Sequence, residues 1–177
     1  MELAQAYRFC PLCGAPRDSY SPVRPFRCSS CGHTTFFGPT SAVGGIITNP
    51  QGNVLLIRRA KDPGKGKLGM PGGFIDHGES AEQALTREIH EEVGIDASTM
   101  NYLMTAPNHY VYQGIALPVM DLFFHVPLDA QPLIRTQESE VTDYLWTSLT
   151  DEILEQIAFP SNRKALEVYR DRVAAEN

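Results

Sequence analysis

Two sets of residues have the types and spacing for metal chemistry. One is Glu88, Glu91 and Glu92, with Arg87 as the adjacent cation. The other is Cys10, Cys13, Cys28 and Cys31, in CPLCG and CSSCG. On a helix, carboxylates at i, i+3 and i+4 crowd within about 5–6 Å at Cβ and repel one another. They are either a solvated face or a set whose repulsion a cation relieves. Arg87 can pair with one of them, not with three. A hard divalent ion can take several, because Mg²⁺ and Mn²⁺ bind oxygen ligands and complete their shells with water and substrate phosphates. Such an ion neutralises a diphosphate, positions a water and stabilises the leaving oxygen.

The element that must position the glutamates is a helix over residues 80–93. Ser80 with Gln83 three residues on makes a capping box. Gly94 suits the left-handed residue that closes a helix. At 100° per residue from Ala81, Ala84, Leu85, Ile89 and Val93 fall at roughly 300°, 40°, 80° and 120°, and Glu88, Glu91 and Glu92 at roughly 340°, 280° and 20°. A solvated face should lie opposite the apolar stripe. These carboxylates lie beside it and partly on its arc, which leaves a metal site and a plain charged face both open.

Fourteen residues separate the two CxxC pairs, just under the usual spacing of a four-cysteine zinc site. Each CxxC turn presents two thiolates, and the glycine after it lets the backbone turn back. A reducing compartment disfavours the alternative of two disulfides, and two matched pairs do not look like a redox CxxC. His33 reads as a loop residue beside the ligands. The segment has too few apolar residues to fold without metal.

The boundary falls near Phe36–Gly38, giving a zinc ribbon over 1–37 and a larger domain over 38–177. In the latter, strands are expected over 41–48, 54–59, 101–105, 109–113, 119–126 and 141–146. A Gly/Lys-rich loop spans 61–73, and helices are expected over 150–158 and 162–175. The loop does not satisfy the P-loop pattern. Strands and helices mix without strict βαβ alternation, which predicts an α+β, mixed-sheet layer fold. Trp146, near a strand end, is expected in the core.

The chain of 177 residues has a net charge of −6. Residues 1–36 hold Arg8, Arg17, Arg24 and Arg27 against Glu2 and Asp18, a balance of +2, so the remainder carries −8. So acidic a body argues against non-specific nucleic-acid binding. An anionic substrate would have to be received through bound cations. The start lacks the basic and apolar regions of a signal peptide, and no apolar run reaches membrane-spanning length. The expectation is therefore a cytoplasmic protein without a membrane partner.

Gly73, Glu79, Arg87-Glu88-Ile89, Glu91-Glu92 and Gly94-Ile95 together form a pattern that resembles the Nudix box. The preceding MPGGF (70–74) and the expected elements extend the likeness over 38–177. The resemblance implies an α/β/α sandwich with a mixed sheet, and hydrolysis of a nucleoside diphosphate linked to another group, such as ADP-ribose or an NADH-like dinucleotide. It implies that Glu88, Glu91 and Glu92 bind Mg²⁺ or Mn²⁺, that Gly72 lends a carbonyl, and that Glu79 and Arg87 brace the loop and helix. Gly73 would be needed for backbone shape. A later glutamate often serves as metal ligand or general base; Glu140 is the candidate here, then Glu138.

A four-cysteine ribbon before such a domain resembles the NADH pyrophosphatase branch. Where that branch has an SQPWPF-type motif, this chain has TAPNHYVYQGIALPVMD (105–121), so the resemblance does not extend to that motif and leaves NADH specificity open. Pro107 only loosely matches the downstream proline of ADP-ribose hydrolases. Arg58, Arg59, Lys61 and Lys67 are candidates for phosphate contact or plain solvated charges. Tyr110 and Tyr112 alternate on an expected strand, which suits packing first and stacking on a base or ribose second. Three readings stay open: a pyrophosphohydrolase taking a small nucleotide, with a possible homodimer built through the ribbon; a nucleotide sensor that does not cleave; and removal of a nucleotide cap from RNA, which the basic ribbon with Arg24 and Arg27 permits and the acidic body discourages.

Overall fold

We describe a computed structural model of the chain, covering residues 1–17 and 25–176 without the Glu176 side chain. Asp18 and Arg24 lie outside the described residues. The chain divides into two compact units, one of Met1–Thr40 with His109–Val119, the other of Ser41–Asn108 with Met120–Asn177.

The first unit holds a short helix, α1 (Leu3–Ala6), and two two-residue strands, β1 (Phe26–Arg27) and β2 (Thr34–Thr35), paired antiparallel. Its apolar centre is small: Cys10, Phe26 and Cys28, with Ala15 and Phe37 against them. The N-terminal ammonium donates to the Gly114 carbonyl, and Ala116 N–H donates to the Met1 carbonyl. The start of the chain is thus sewn to residues 114–116.

The second unit is built on a six-stranded mixed sheet. Its strands are β3 (Thr40–Thr48), β4 (Val54–Arg59), β5 (Leu68–Gly69), β6 (Asn101–Tyr112), β7 (Ile115–Pro127) and β8 (Val141–Thr147), with the tips of β6 and β7 assigned to the first unit. The order is β5-β4-β3-β7-β6, and β8 pairs with β4. Successive strand residues point to opposite faces, and both faces here are covered. In β4, Leu55 and Ile57 join the core beneath helix α2 (Ala81–Val93), while Val54 and Leu56 join the core beneath α3 (Asp151–Leu154) and α4 (Pro160–Glu176). Strands buried on both sides read as continuous apolar runs, as SAVGGIIT and VLLIRR do. Trp146 packs at the edge of the α2-side core.

Four expectations need correction. Residues 101–105 and 109–113 are one strand, β6, which runs through Pro107. β6 is last in the sheet order, and an edge strand tolerates a residue with no N–H to donate. Inside the expected loop, β5 pairs Leu68 and Gly69 with Arg58 and Ile57. The helix expected over 150–158 stops at Leu154. The last helix starts at Pro160 rather than at residue 162, and proline's missing N–H and fixed φ suit that first position.

Candidate functional site

Helix α2 is closed at both ends by its own sequence. Ser80 Oγ accepts from Gln83 N–H, the Gln83 side chain accepts from Ser80 N–H, and Gly94 sits in the left-handed region at φ +69°. Ala84, Leu85, Ile89, Glu92 and Val93 are buried along it. Glu92 is thus a carboxylate on the apolar arc, only 6% exposed.

The Pro71–Ile75 segment lies antiparallel beside β3. Gly45 N–H donates to Pro71 O, Val43 N–H to Gly73 O, and Ile75 N–H to Ser41 O. Glycine is required at two positions. Gly72 has φ +146°, and a Cβ there would lie 2.1 Å from the Val43 carbonyl oxygen. A Cβ on Gly73 would lie 2.4 Å from Glu88 Oε1. The segment therefore presses directly on the helix that carries the acids, and Gly72 N–H donates to Glu92 Oε2 at 2.9 Å.

Arg87 reaches further than the single pairing expected of it. Its Nε and Nη2 grip both oxygens of Glu79 at 2.8 and 2.9 Å, and Nη2 also donates to Phe74 O at 3.2 Å. Nη1 donates to Glu88 at 2.8 Å and to Glu91 at 3.4 Å. The fork ties the loop to the helix through a bidentate charged pair. Hydrogen bonds from Arg87 and from the Asp76 N–H hold the Glu79 carboxyl down at about 2. Burial raises the Glu88 pKa against the pull of Arg87. Burial also pushes Glu92 up to about 8, with the negative charges of Glu88 and Glu140 adding, against the Gly72 N–H and Arg59. Glu92 is thus a buried carboxyl with Glu88 and Glu140 near it and too little positive charge to hold it ionised, although among the described residues only the four cysteines bring their ligand atoms together as an ion would require.

Glu140 is half exposed and paired with Lys61 at 3.0 Å. Its backbone carbonyl accepts from Ala60 N–H, and Gln137 N–H donates to Glu92 O, so this stretch runs past the end of α2. Glu138 is exposed. Two of the basic candidates make contacts within the chain. Arg58 Nη1 donates to Gly66 O at 2.7 Å, and Arg59 Nε donates to Pro63 O at 3.0 Å with its guanidinium over the Phe159 ring. Lys67 is exposed. Tyr110 is half-buried and Tyr112 exposed, and both belong to the first unit. A buried acidic residue that the sequence reading missed, Asp121, accepts from Asn108 and Ser161.

In the first unit the two CxxC turns have matching backbones. Gly14 N–H donates to Cys10 O and Gly32 N–H to Cys28 O; Cys10 N–H donates to Ala15 O and Cys28 N–H to His33 O. Cys10 Sγ stands 3.8 Å from Cys31 Sγ, and Cys13 Sγ 3.7 Å from Cys28 Sγ. The four ligand atoms lie within 4.8 Å of one another, and His33 is not among them. Zinc with sulfurs at about 2.3 Å in a tetrahedron sets sulfur–sulfur edges of about 3.8 Å. The cluster fits a closed, four-thiolate zinc site.

A family model described as a NUDIX domain matches residues 38–169. The chain belongs to the Nudix family. It is 29% identical over 141 residues to the NAD-capped RNA hydrolase NudC of Stutzerimonas stutzeri (strain A1501), covering 79% of this chain and 48% of that protein. To the protein of the same name from Haemophilus influenzae (strain PittGG) it is 27% identical over 147 residues, covering 81% of this chain and 52% of that one. The chain spans about half the length of the curated relatives it matches. Among solved structures it resembles the Nudix domain of Shewanella oneidensis NrtR complexed with ADP ribose, with TM-score 0.64 and 26% identity over 78% of this chain and 90% of that one. It also resembles the Escherichia coli ORF135 protein, with TM-score 0.61 and 28% identity over 77% and 91%. No described helix is long and apolar enough to cross a membrane.

Proposed function

We propose that this Nudix chain is a divalent-metal-dependent pyrophosphohydrolase that cleaves the diphosphate of a nucleoside diphosphate linked to a second group, with ADP-ribose or an NAD-type dinucleotide as the substrate class. The observation that carries this reading is the carboxylate of Glu92, buried on the apolar arc of α2, oriented by the Gly72 N–H and next to two further acids. Glu88, Glu91 and Glu92 would hold Mg²⁺ or Mn²⁺. When bound, such ions neutralise the diphosphate and lower the energy of the charge that develops on its oxygens.

The chain's own residues supply the rest. Arg87 and Glu79 fix the loop against the helix, so that the acids keep their spacing while substrate enters. Gly72 and Gly73 let the backbone pass within contact of β3 and Glu88. Glu140, near enough to raise the pKa of both Glu88 and Glu92, takes the proton of the attacking water. The ribbon is a structural zinc module.

A second reading is favoured by the relatives' names: the diphosphate would be a nucleotide cap at an RNA 5′ end. The test is to incubate the protein with ADP-ribose, NAD, NADH and NAD-capped RNA, each with Mg²⁺ or Mn²⁺, and to identify products. Cleavage to two phosphorylated products in the presence of either ion is expected. Cleavage of capped RNA alone, with salt-sensitive binding, selects the second reading. Metal-dependent binding with no cleavage of any of them replaces both with a nucleotide sensor.

A further inference from the structure

Asp121, on β7, is only 6% exposed, and Ser161, the second residue of α4, only 3%. The Ser161 hydroxyl and the Asn108 amide (2.9 Å) both donate to the same oxygen, Oδ2. Oδ1 accepts nothing among the described residues. It is not sealed off either: Thr35 Oγ1 is the one buried side-chain polar atom without a partner among those residues. Securing the start of α4 needs one acceptor oxygen, which a neutral side chain would supply at a lower desolvation penalty. A buried carboxylate with one oxygen unused leaves that oxygen to water or to a ligand. Burial raises the Asp121 pKa, and the Ser161 and Asn108 donors pull it back. In the ionised form those donors favour, the group is an acceptor only.

The location suits a nucleotide. Leu128 N–H donates to Thr48 O, joining the far ends of β7 and β3, and a Cβ on Gly44 would meet the Phe123 ring. Two residues back along these parallel strands, Asp121 lies beside Ala42, a small and partly accessible residue. Ala42 in turn bridges to Phe74 in the Pro71–Ile75 segment. Two strand steps, about 10 Å in all, therefore separate Asp121 from Phe74, two residues along the chain from the Gly72 amide that orients Glu92. That is comparable to the reach of a nucleotide from base to diphosphate.

We propose that Asp121 is a specificity-determining residue whose Oδ1 accepts a hydrogen bond from the exocyclic amino group of the substrate's base, selecting adenine over hypoxanthine. The inference rests on the reading of this unit as a binder of nucleoside diphosphates. The test compares ADP-ribose with its hypoxanthine analogue, IDP-ribose, for wild type and Asp121→Asn, by kcat/KM with Mg²⁺ and by calorimetric binding. Wild type should prefer adenine by about tenfold or more. The amide of Asp121→Asn can still accept from Ser161 and Asn108 while presenting N–H to the keto oxygen of hypoxanthine, so the preference should vanish or reverse.

Equal handling of the two bases by wild type overturns the proposal, as does an unchanged ratio in folded Asp121→Asn. Should that variant not fold, wild type against the 6-unsubstituted purine analogue decides: a loss of about tenfold supports the proposal, and none overturns it. Base-selective binding without turnover would sink the hydrolase reading and leave this one standing. Turnover without base preference would do the reverse.

Discussion

The four sulfurs of the N-terminal unit already stand at the spacing of a tetrahedral metal site, whereas the three carboxylates of the Nudix helix are held by other protein groups. Neutral thiols can approach one another at little electrostatic penalty, so two knuckle turns suffice to gather them. Carboxylates cannot. Glu88 and Glu91 share the Arg87 guanidinium, and Glu92 leans on the Gly72 amide. The first site is closed, with all its ligands from protein and no place for a substrate. In the proposed function the second is open, and its acids would take ions that arrive with water and phosphate. The same contrast separates structural from catalytic metal sites in general.

The closed site offers the largest effect. Zinc binding to such small modules is worth roughly 10–16 kcal/mol, and the described apolar centre of this unit is three buried residues with two neighbours. Purified protein should carry about one zinc per chain. Chelation, or Cys28→Ser, should collapse the fold of the ribbon, read as lost amide dispersion and rapid alkylation of the buried Cys10. Zinc-free protein that keeps Cys10 protected would break the comparison.

At the open site, Glu92→Gln removes the carboxylate proposed as a metal ligand but keeps the shape and the acceptor for the Gly72 N–H. Turnover should fall by roughly 10³-fold, with the fold intact by circular dichroism and weaker Mn²⁺ binding. A loss smaller than tenfold would remove Glu92 from the metal site.

How far each region could be read from sequence follows the range of the forces involved. The ends of α2 were legible because Ser80, Gln83 and Gly94 act within one turn of the chain. The buried arc followed from periodicity, Glu92 included. The unity of β6 was not legible, because Pro107 breaks a strand only where its missing N–H matters, and only the sheet order puts it at an edge. Nor was β5, a two-residue strand that exists through its pairing with Ile57 and Arg58. The roles of Arg58 and Arg59 depend on where the 61–67 loop folds back. Asp121 stands alone in an apolar strand, and its partners come from residues 108 and 161, distant in sequence.

The pH dependence of stability separates the two centres next. In metal-free protein Glu92 stays protonated up to about 8, whereas in the unfolded chain it ionises near the ordinary glutamate value of about 4.3. Between those values the native state holds a proton that the unfolded state has released. Stability of the metal-free protein should therefore fall as pH rises through that window, by a few kcal/mol, and level off above pH 8. Glu79 works in the opposite sense and elsewhere, since its depressed value of about 2 gives stability that is lost only as pH falls from its ordinary range through that value. Urea titrations at pH 5, 6.5 and 8.5 should show the decline. Mg²⁺ should recover stability at pH 8.5, and Glu92→Gln should flatten the profile. A flat wild-type profile would mean that the carboxylate is compensated without metal.

The smallest effect expected is at Arg87, which supplies at the helix the positive charge that the thiol cluster does without. Arg87→Lys keeps one positive charge but loses the fork, because a lysine ammonium cannot hold both oxygens of Glu79 while touching Glu88 and Phe74 O. The loop around Gly72 should loosen and the acids should spread. A loss of about 2 kcal/mol is expected, seen as a melting temperature lower by roughly 4–8 °C, together with about a tenfold drop in turnover that raised Mg²⁺ partly restores. Restoration by the ion is the discriminating result: if Arg87 merely braced the fold, extra Mg²⁺ would move neither number. If it substitutes for metal charge at Glu88 and Glu91 until the ions arrive, the variant should need more of the ion to reach the same rate.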